Sequence, residues 1–274
     1  MIEVTPIAGA LGAEISGVDL SGELDDEMVG EIRQALLDHL VIFFRDQEIT
    51  PEQHLTFARK FGNLVEYPLV NGLDDHPEIV PVKKLEHETV NFGGLWHSDT
   101  AYLEFPPMGA VLCARELPPV GGDTLFANMY MAYDTLSDGM KGFLSRLVGV
   151  NSSAKPDVVL TRKERIKTKR AADEKPLIAE HPAVRTHPET GRKLIYVNFG
   201  HTVKFRGMTE EESAPILNYL FAHQSRPEFT CRFQWRPGSV AFWDNRATQH
   251  NPINDYQGQR RLMHRVTLAG DRPT

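Results

Sequence analysis

Cysteine is scarce in this chain: Cys113 and Cys231 are the two present in 274 residues. So low a count excludes a disulfide framework and fits a reducing, cytoplasmic compartment. Both lie in apolar, strand-like runs, which reads as buried free thiols. Positive charge is not in excess either: 30 Lys and Arg stand against 37 Asp and Glu, a formal net charge of −7. That balance argues against a nucleic-acid partner and against a basic membrane-surface protein. No apolar stretch is long enough to span a bilayer, so no membrane partner is expected. The start, Met1-Ile2-Glu3-Val4-Thr5-Pro6, lacks the basic-then-apolar order of a secretory signal. Internal repeats and low-complexity segments are missing too. What remains is an ordinary globular composition, of a length that one β-rich domain can fill.

The patterning is that of many short elements. Strands are expected at 2–7 and 13–20, with Gly9, Gly12 and Gly17 as punctuation. A helix is expected over 25–39, where Met28, Ile32, Ala35, Leu36 and Leu40 recur at three- and four-residue spacing. Asp25, Asp26 and Glu27 crowd its first turn, where the helix dipole favours them. Val41-Ile42-Phe43-Phe44 reads as a strand buried on both faces. Thr50 as N-cap and Pro51 open a second helix that stops near Phe61-Gly62. Residues 63–95 read as irregular apart from a strand at 79–84, with His76 and His87 as solvated surface histidines. So long a connection is usually functional or mobile. A strand at 106–114 and another after the turn at 118–123 precede helices over 129–136 and 138–146. The basic run at 161–170 reads as a solvated segment or, functionally, as part of a mobile lid over 152–180. A strand pair, 181–187 with 193–198, is followed by an amphipathic helix over 209–223, opened by a Thr209–Glu212 capping box. Strands at 229–235, 239–243 and 260–269 end the chain. Many short strands with a few appended helices predict a mainly β fold, a sandwich or jelly roll, not an alternating βαβ sheet.

Chemistry-bearing residues gather at a few places. His97 and Asp99, two apart on an extended segment, point to the same side. An imidazole and a carboxylate then converge on one volume, two thirds of a facial triad that leaves other metal positions open. Such a pair is also a common hydrogen-bonded polar pair. A later buried strand, Val240-Ala241-Phe242-Trp243, leads on to a second histidine, His250. Arg261 and Arg265 project to one face of the otherwise apolar last strand. An arginine on a buried strand needs an anion, and its planar fork suits carboxylate. Two of them imply two anions, or one carboxylate held twice.

Four motifs in order, Trp96-His97-x-Asp99, Gly121-Gly122-Asp123-Thr124, Trp243-Asp244-Asn245-Arg246-x-Thr248-Gln249-His250 and Arg260-Arg261-x-x-His264-Arg265, resemble the taurine dioxygenase family. These are iron(II)- and 2-oxoglutarate-dependent oxygenases on a double-stranded β-helix, the cupin-like jelly roll. The resemblance runs almost end to end, from Gly12 to Asp271. It implies a single catalytic domain over 1–274, with mobile active-site segments near 66–95 and 152–180, in a dimer or tetramer. It implies that His97, Asp99 and His250 bind iron, that Thr124 and Arg261 hold the distal carboxylate of 2-oxoglutarate, and that Arg265 meets the substrate's anionic group. Two neutral imidazoles and a carboxylate leave room for a chelating 2-oxoacid and then O2. Thr124 can donate one hydrogen bond beside a bidentate guanidinium. Trp243 and Phe242 are expected to shield the metal.

The implied reaction hydroxylates a C–H bond of a small organic anion while 2-oxoglutarate is oxidatively decarboxylated to succinate and CO2. The anion is a sulfonate such as taurine or a relative; a phenoxyalkanoate, an alkyl sulfate or another carboxylate is the alternative. Taurine-specific members contact sulfonate through a histidine shortly after the Phe-Gly that ends the second helix. Residues 63–70 contain no histidine, and Tyr67 stands in that place. Tyr102, Asn198, Phe199 and His201 are further candidate pocket liners, while His264 and Arg246 read as structural. A zinc or manganese hydrolase would use the same three ligands but leaves Arg261 and Thr124 unexplained. A non-catalytic jelly-roll binding module is disfavoured because the ligands and the 2-oxoacid pair are all intact.

Overall fold

The computed structural model describes residues 1–162 and 175–274. In chain order the elements begin β1 (Glu3–Pro6), β2 (Ala13–Ser16), α1 (Asp26–His39), β3 (Val41–Phe44), α2 (Pro51–Arg59), β4 (Leu64–Val65) and β5 (Ile79–Lys84). They continue β6 (Gly109–Glu116), β7 (Thr124–Asn128), α3 (Met129–Asp134), α4 (Asp138–Leu144), β8 (Val148–Ser152) and α5 (Pro156–Arg162). After these come β9 (Ile178–Pro182), β10 (Val184–Thr186), β11 (Lys193–Ile195), β12 (Thr202–Phe205) and α6 (Glu210–Gln224). The last three strands to carry site residues follow β13 (Thr230–Phe233): β14 (Val240–Asp244), β15 (Thr248–Pro252) and β16 (Arg261–Leu268).

The largest sheet runs β1-β2-β3-β14-β6-β16, with β4 and β5 both pairing β16. A second sheet, β13-β7-β15, is antiparallel throughout and faces it. The two meet through rings: Phe43 of β3 stacks on Phe233 of β13 at 3.8 Å, and Phe126 of β7 lies 5.9 Å from Trp243 of β14. This is the jelly roll. Strand alternation divides the core in two. Val41, Phe43, Ala110, Leu112 and Trp243 face the space between the sheets. Ile42, Phe44, Val111, Cys113 and Phe242 face the opposite way, under α1 and α2. Both faces are covered, which is why β3 and β14 read as unbroken apolar runs.

The helices are placed by local chemistry. Asp25 caps α1, its carboxylate accepting from Met28 N–H at 2.8 Å, and Ile32, Ala35 and Leu36 form the buried stripe. Thr50 and Gln53 close a capping box on α2, and Thr209 and Glu212 do the same on α6. Beneath α2, His54 is fully buried with Nε2 against the Val111 carbonyl at 3.2 Å. Burial, aided by the nearby Arg115, pushes its pKa from 6.5 down to about 3. The unfolded chain takes a proton that folded His54 refuses. Stability therefore falls with falling pH between 6.5 and about 3, by up to about 1.4 kcal/mol per pH unit. The urea midpoint of His54→Gln is expected to decline less than that of the wild type as pH falls through this window.

Several elements depart from the sequence expectations. Strands β4, β8, β12 and β15 and helix α5 arise where no clear pattern announces them. The strand expected at 106–114 begins at Gly109, because Pro106 and Pro107 lack donors for a ladder. The segment expected at 13–20 ends at Ser16, where Gly17 turns with φ 80°. His76 is half-buried against Glu52 at 3.0 Å, not solvated, whereas His87 is exposed. Cys113 and Cys231 are buried free thiols. The span 152–180 contains α5 and the start of β9; residues 163–174, with most of the basic run and part of the expected lid, lie outside the described residues. No helix among the described residues is long and apolar enough to cross a membrane.

Candidate active site

His97 and His250 are joined through the backbone. Each donates its N–H to the other's carbonyl, at 3.1 and 2.9 Å, so His97 forms a single bridge to β15. The imidazole rings consequently lie 4.2 Å apart, centroid to centroid. His97 Nδ1 donates to the Leu95 carbonyl at 2.8 Å, which leaves Nε2 as a lone pair, 3.7 Å from Asp99 Oδ1. One ligand atom from each of His97, Asp99 and His250 lies within 4.8 Å of the others, and all three residues are buried. Burial, with His97 adding to it, pushes the His250 pKa down to about 3. Burial opposes charge on Asp99 as well, but the Arg265 guanidinium together with His97 and His250 outweighs it and holds the carboxyl well below the usual range. Two neutral imidazoles beside one carboxylate are the donor set a divalent metal asks for.

Arg261 and Arg265 both point inward from β16, as their spacing predicts. Arg265 Nη1 donates to Asp99 Oδ1 at 2.9 Å, and its guanidinium lies 4.8 Å over the Tyr67 ring. Its Nε and Nη2 are buried without a hydrogen-bond partner, as are Nε and Nη2 of Arg261. Burial pushes the Arg261 guanidinium below its ordinary range, and nearby Tyr256 and Asp123 offset this in part. A small cavity is lined by His97, His250, Thr124, Arg261, Arg265 and Trp243, among others. Unpartnered guanidinium N–H groups on its wall are what a dicarboxylate would satisfy. Asp99 Oδ2 is likewise buried and unpartnered, as a metal ligand should be without its ion.

Local backbone geometry serves the same cavity. Gly122 adopts φ 72°, and a Cβ there would meet Arg261 Cδ at 3.2 Å, so only glycine lets this loop lie against that arginine. A Cβ at Gly93, φ 69°, would come within 3.4 Å of His97 Nε2 and intrude on the ligand volume.

The structure brings together the two histidines, the carboxylate, Thr124 and both arginines. Tyr67, Tyr102 and His201 form an adjoining group: the two tyrosine hydroxyls are 3.2 Å apart, and the His201 ring is 4.9 Å from Tyr102 and 6.0 Å from His97. On the Tyr67 side, a further cavity of about 280 Å³ is lined by Tyr67, Thr100, Leu103, Phe105, Pro107 and Thr267.

Three expected liners are placed elsewhere. Phe242 faces α2, its ring 5.0 Å from Phe61, because it alternates with Trp243 on β14. Trp243 alone packs on the site, 4.9 Å from the His250 ring. Asn198 is used up holding a turn, its Oδ1 accepting from His201 N–H at 2.9 Å, and Phe199 packs outward on Phe221. Arg246 and His264 are structural as read: Arg246 grips Asp244, and His264 accepts from Arg115 on the other face of β16. Trp235 escaped the sequence reading. Its Nε1 donates to Thr124 Oγ1 at 3.0 Å, which frees the threonine hydrogen to donate into the cavity. Nothing in its flanking residues marks it, since β13 ends two residues before it.

Comparison with known proteins extends this geometry. An alkylsulfatase of Acinetobacter baylyi is 37% identical over 278 residues, covering 98% of this chain and 86% of the relative. An alpha-ketoglutarate-dependent sulfate ester dioxygenase of Pseudomonas putida is 36% identical over 283 residues, covering 99% of this chain and 91% of the relative. The crystal structure of AAD-2 in complex with Mn(II) and N-oxalylglycine matches with a TM-score of 0.82 and 31% identity, covering 100% of this chain and 99% of that one. The model of one family, described as taurine catabolism dioxygenase TauD, TfdA family, matches residues 3–267. By that match and those relatives, the chain belongs to the TauD, TfdA family of dioxygenases.

Proposed function

We propose that His97, Asp99 and His250 hold iron(II), that Thr124 and Arg261 bind the distal carboxylate of 2-oxoglutarate, and that Arg265 with Tyr67 receives the anionic group of an organic substrate. The observation that carries this reading is the set of unpartnered guanidinium N–H groups on Arg261 and Arg265 facing the cavity that the two histidines line. Bound iron(II) supplies, with O2, the oxidising power that couples decarboxylation of 2-oxoglutarate to succinate with hydroxylation of a substrate C–H bond. The chain's own residues bind, orient and shield. Arg265 fixes one oxygen of Asp99 and leaves the other free to coordinate. Val82, Leu112, Phe126 and Trp243 give the cavity apolar walls that exclude water.

The substrate class favoured is a sulfate ester or sulfonate with an organic tail. Its support is the similarity to the sulfate ester dioxygenase of Pseudomonas putida, the unpartnered Arg265 N–H groups and the cavity at Tyr67, which offers room for an apolar body. A phenoxyalkanoate is the alternative. Succinate formation across a panel of taurine, alkyl sulfates and phenoxypropionate separates them. Iron(II) with 2-oxoglutarate, in the absence of O2, should give a visible charge-transfer band; iron binding without that band would sink the oxygenase assignment of these residues. A single catalytic domain, a dimer or tetramer, and a cytoplasmic location belong to the same reading, supported by the near-complete family match and the two free thiols.

Arg261→Ala is expected to weaken 2-oxoglutarate binding by about 2–5 kcal/mol, roughly 30-fold to several-thousand-fold, with metal affinity retained. Arg265→Ala is expected instead to consume 2-oxoglutarate without forming product. Titration of 2-oxoglutarate into both variants decides the matter: equal losses of affinity would refute this division of labour.

A further inference from the structure

We infer that Asn245 is a positioning residue for the metal ligands, acting by clamping the backbone of Asp99; this rests on the reading of Asp99 as a ligand. The Asn245 side chain is fully buried and spans both polar groups of one peptide neighbour. Its Oδ1 accepts from Asp99 N–H at 2.7 Å, and its Nδ2 donates to the Asp99 carbonyl at 3.2 Å and to the Pro107 carbonyl at 3.1 Å. A side-chain amide offers donors and an acceptor together, so it substitutes here for a paired strand.

The substitution is needed because β15 pairs with the ligand segment only at His97. Immediately after Asp99 the chain turns away at Thr100, which holds φ 44°. Between these points the Ser98 hydroxyl donates to the Thr248 carbonyl at 3.0 Å. Residues 97, 98 and 99 are thus each tied to the 245–250 segment, which also carries His250. Without the asparagine amide, Asp99 would sit two residues past the last ladder bond and before a strained turn, held through its side chain alone by Arg265 and His97. An aspartate in place of Asn245 would oppose an oxygen to two carbonyls, and a leucine would satisfy none of the three groups.

The test is Mn(II) titration of the full-length protein by calorimetry, for wild type, Asn245→Ala, Asp99→Ala and His54→Ala. His54 is equally buried but lies on the helix-covered face, so it reports what a general loss of stability does to metal affinity. The expected result is a loss for Asn245→Ala on the order of 10- to 100-fold, the range for groups that orient a ligand, with His54→Ala close to wild type. Wild-type affinity in Asn245→Ala, or an equal loss in His54→Ala, overturns the clamp. Undiminished affinity in Asp99→Ala instead overturns the ligand assignment on which it rests. If Asn245→Ala does not fold, hydrogen exchange on the metal-free wild type replaces it. An Asp99 amide as protected as those of β14 supports the clamp, and a rapidly exchanging one overturns it.

Discussion

Asp99→Ala is expected to abolish turnover, with losses on the order of ten-thousandfold, the scale seen when one member of a group acting as a unit is removed. It should also destabilise the metal-free protein, an effect that would not follow if Asp99 were only a ligand. Its Oδ1 is the partner of Arg265 at 2.9 Å, and both side chains are about 5% exposed. Removing the carboxylate leaves a guanidinium buried without a counter-charge, a change that typically costs about 3–5 kcal/mol. Urea unfolding in the presence of a chelator measures this directly. The double variant Asp99→Ala/Arg265→Ala should recover part of the loss, because the stranded cation is gone. A double variant no more stable than Asp99→Ala would show that the stranded guanidinium carries no penalty in the folded state.

Arg246→Ala is the second large effect, and it falls on stability. Asp244 is fully buried at the end of β14. Arg246 grips its carboxylate with Nε at 2.9 Å and Nη2 at 2.7 Å, and reaches Glu189 with Nη1 at 2.7 Å. His187 Nε2 stands 3.0 Å from Asp244 Oδ2 on the other side, and Arg33 completes the chain to the surface through Glu189 at 2.8 Å. Without Arg246 the buried aspartate keeps only His187 and a backbone N–H, a loss of about 3–5 kcal/mol. The pH dependence gives a second handle. Burial opposes ionisation of Asp244, but Arg246 prevails and holds its carboxyl well below the ordinary 3.8. A depressed carboxylate contributes stability that is present above pH 3.8 and lost as pH falls below it. The gap between wild type and Arg246→Ala should therefore be widest near neutrality and narrow below pH 3.8.

The parts of the fold that were legible are those where one local pattern suffices. Amphipathic spacing and caps located α1, α2 and α6, and unbroken apolar runs located β3 and β14. β15 was not legible, since Thr248-Gln249-His250-Asn251-Pro252 carries no alternation of apolar and polar residues and owes its pairing to β7. For the site, residue type and spacing pointed to His97, Asp99, His250, Arg261 and Arg265, and the family resemblance added Thr124. Contacts made across the fold were not. The bond from Arg265 to Asp99 joins residues 166 apart in sequence, and the one from Trp235 to Thr124 joins residues 111 apart. The error at Phe242 has a plain cause: adjacent residues of a strand point to opposite faces, so Phe242 and Trp243 could not both line one cavity.

Arg265 serves two masters. One edge of its guanidinium holds the carboxylate assigned to the metal, while Nε and Nη2 are buried without a partner and, in the function proposed above, receive the substrate's anion. Two binding equilibria that share one cation are thermodynamically linked, and linkage is reciprocal. Whatever factor the substrate's anion applies to metal affinity through this arginine, the metal applies equally to the affinity for that anion. Retention of iron and choice of substrate are then a single coupled property of the protein, and changing one by mutation at Tyr67 or Arg265 changes the other.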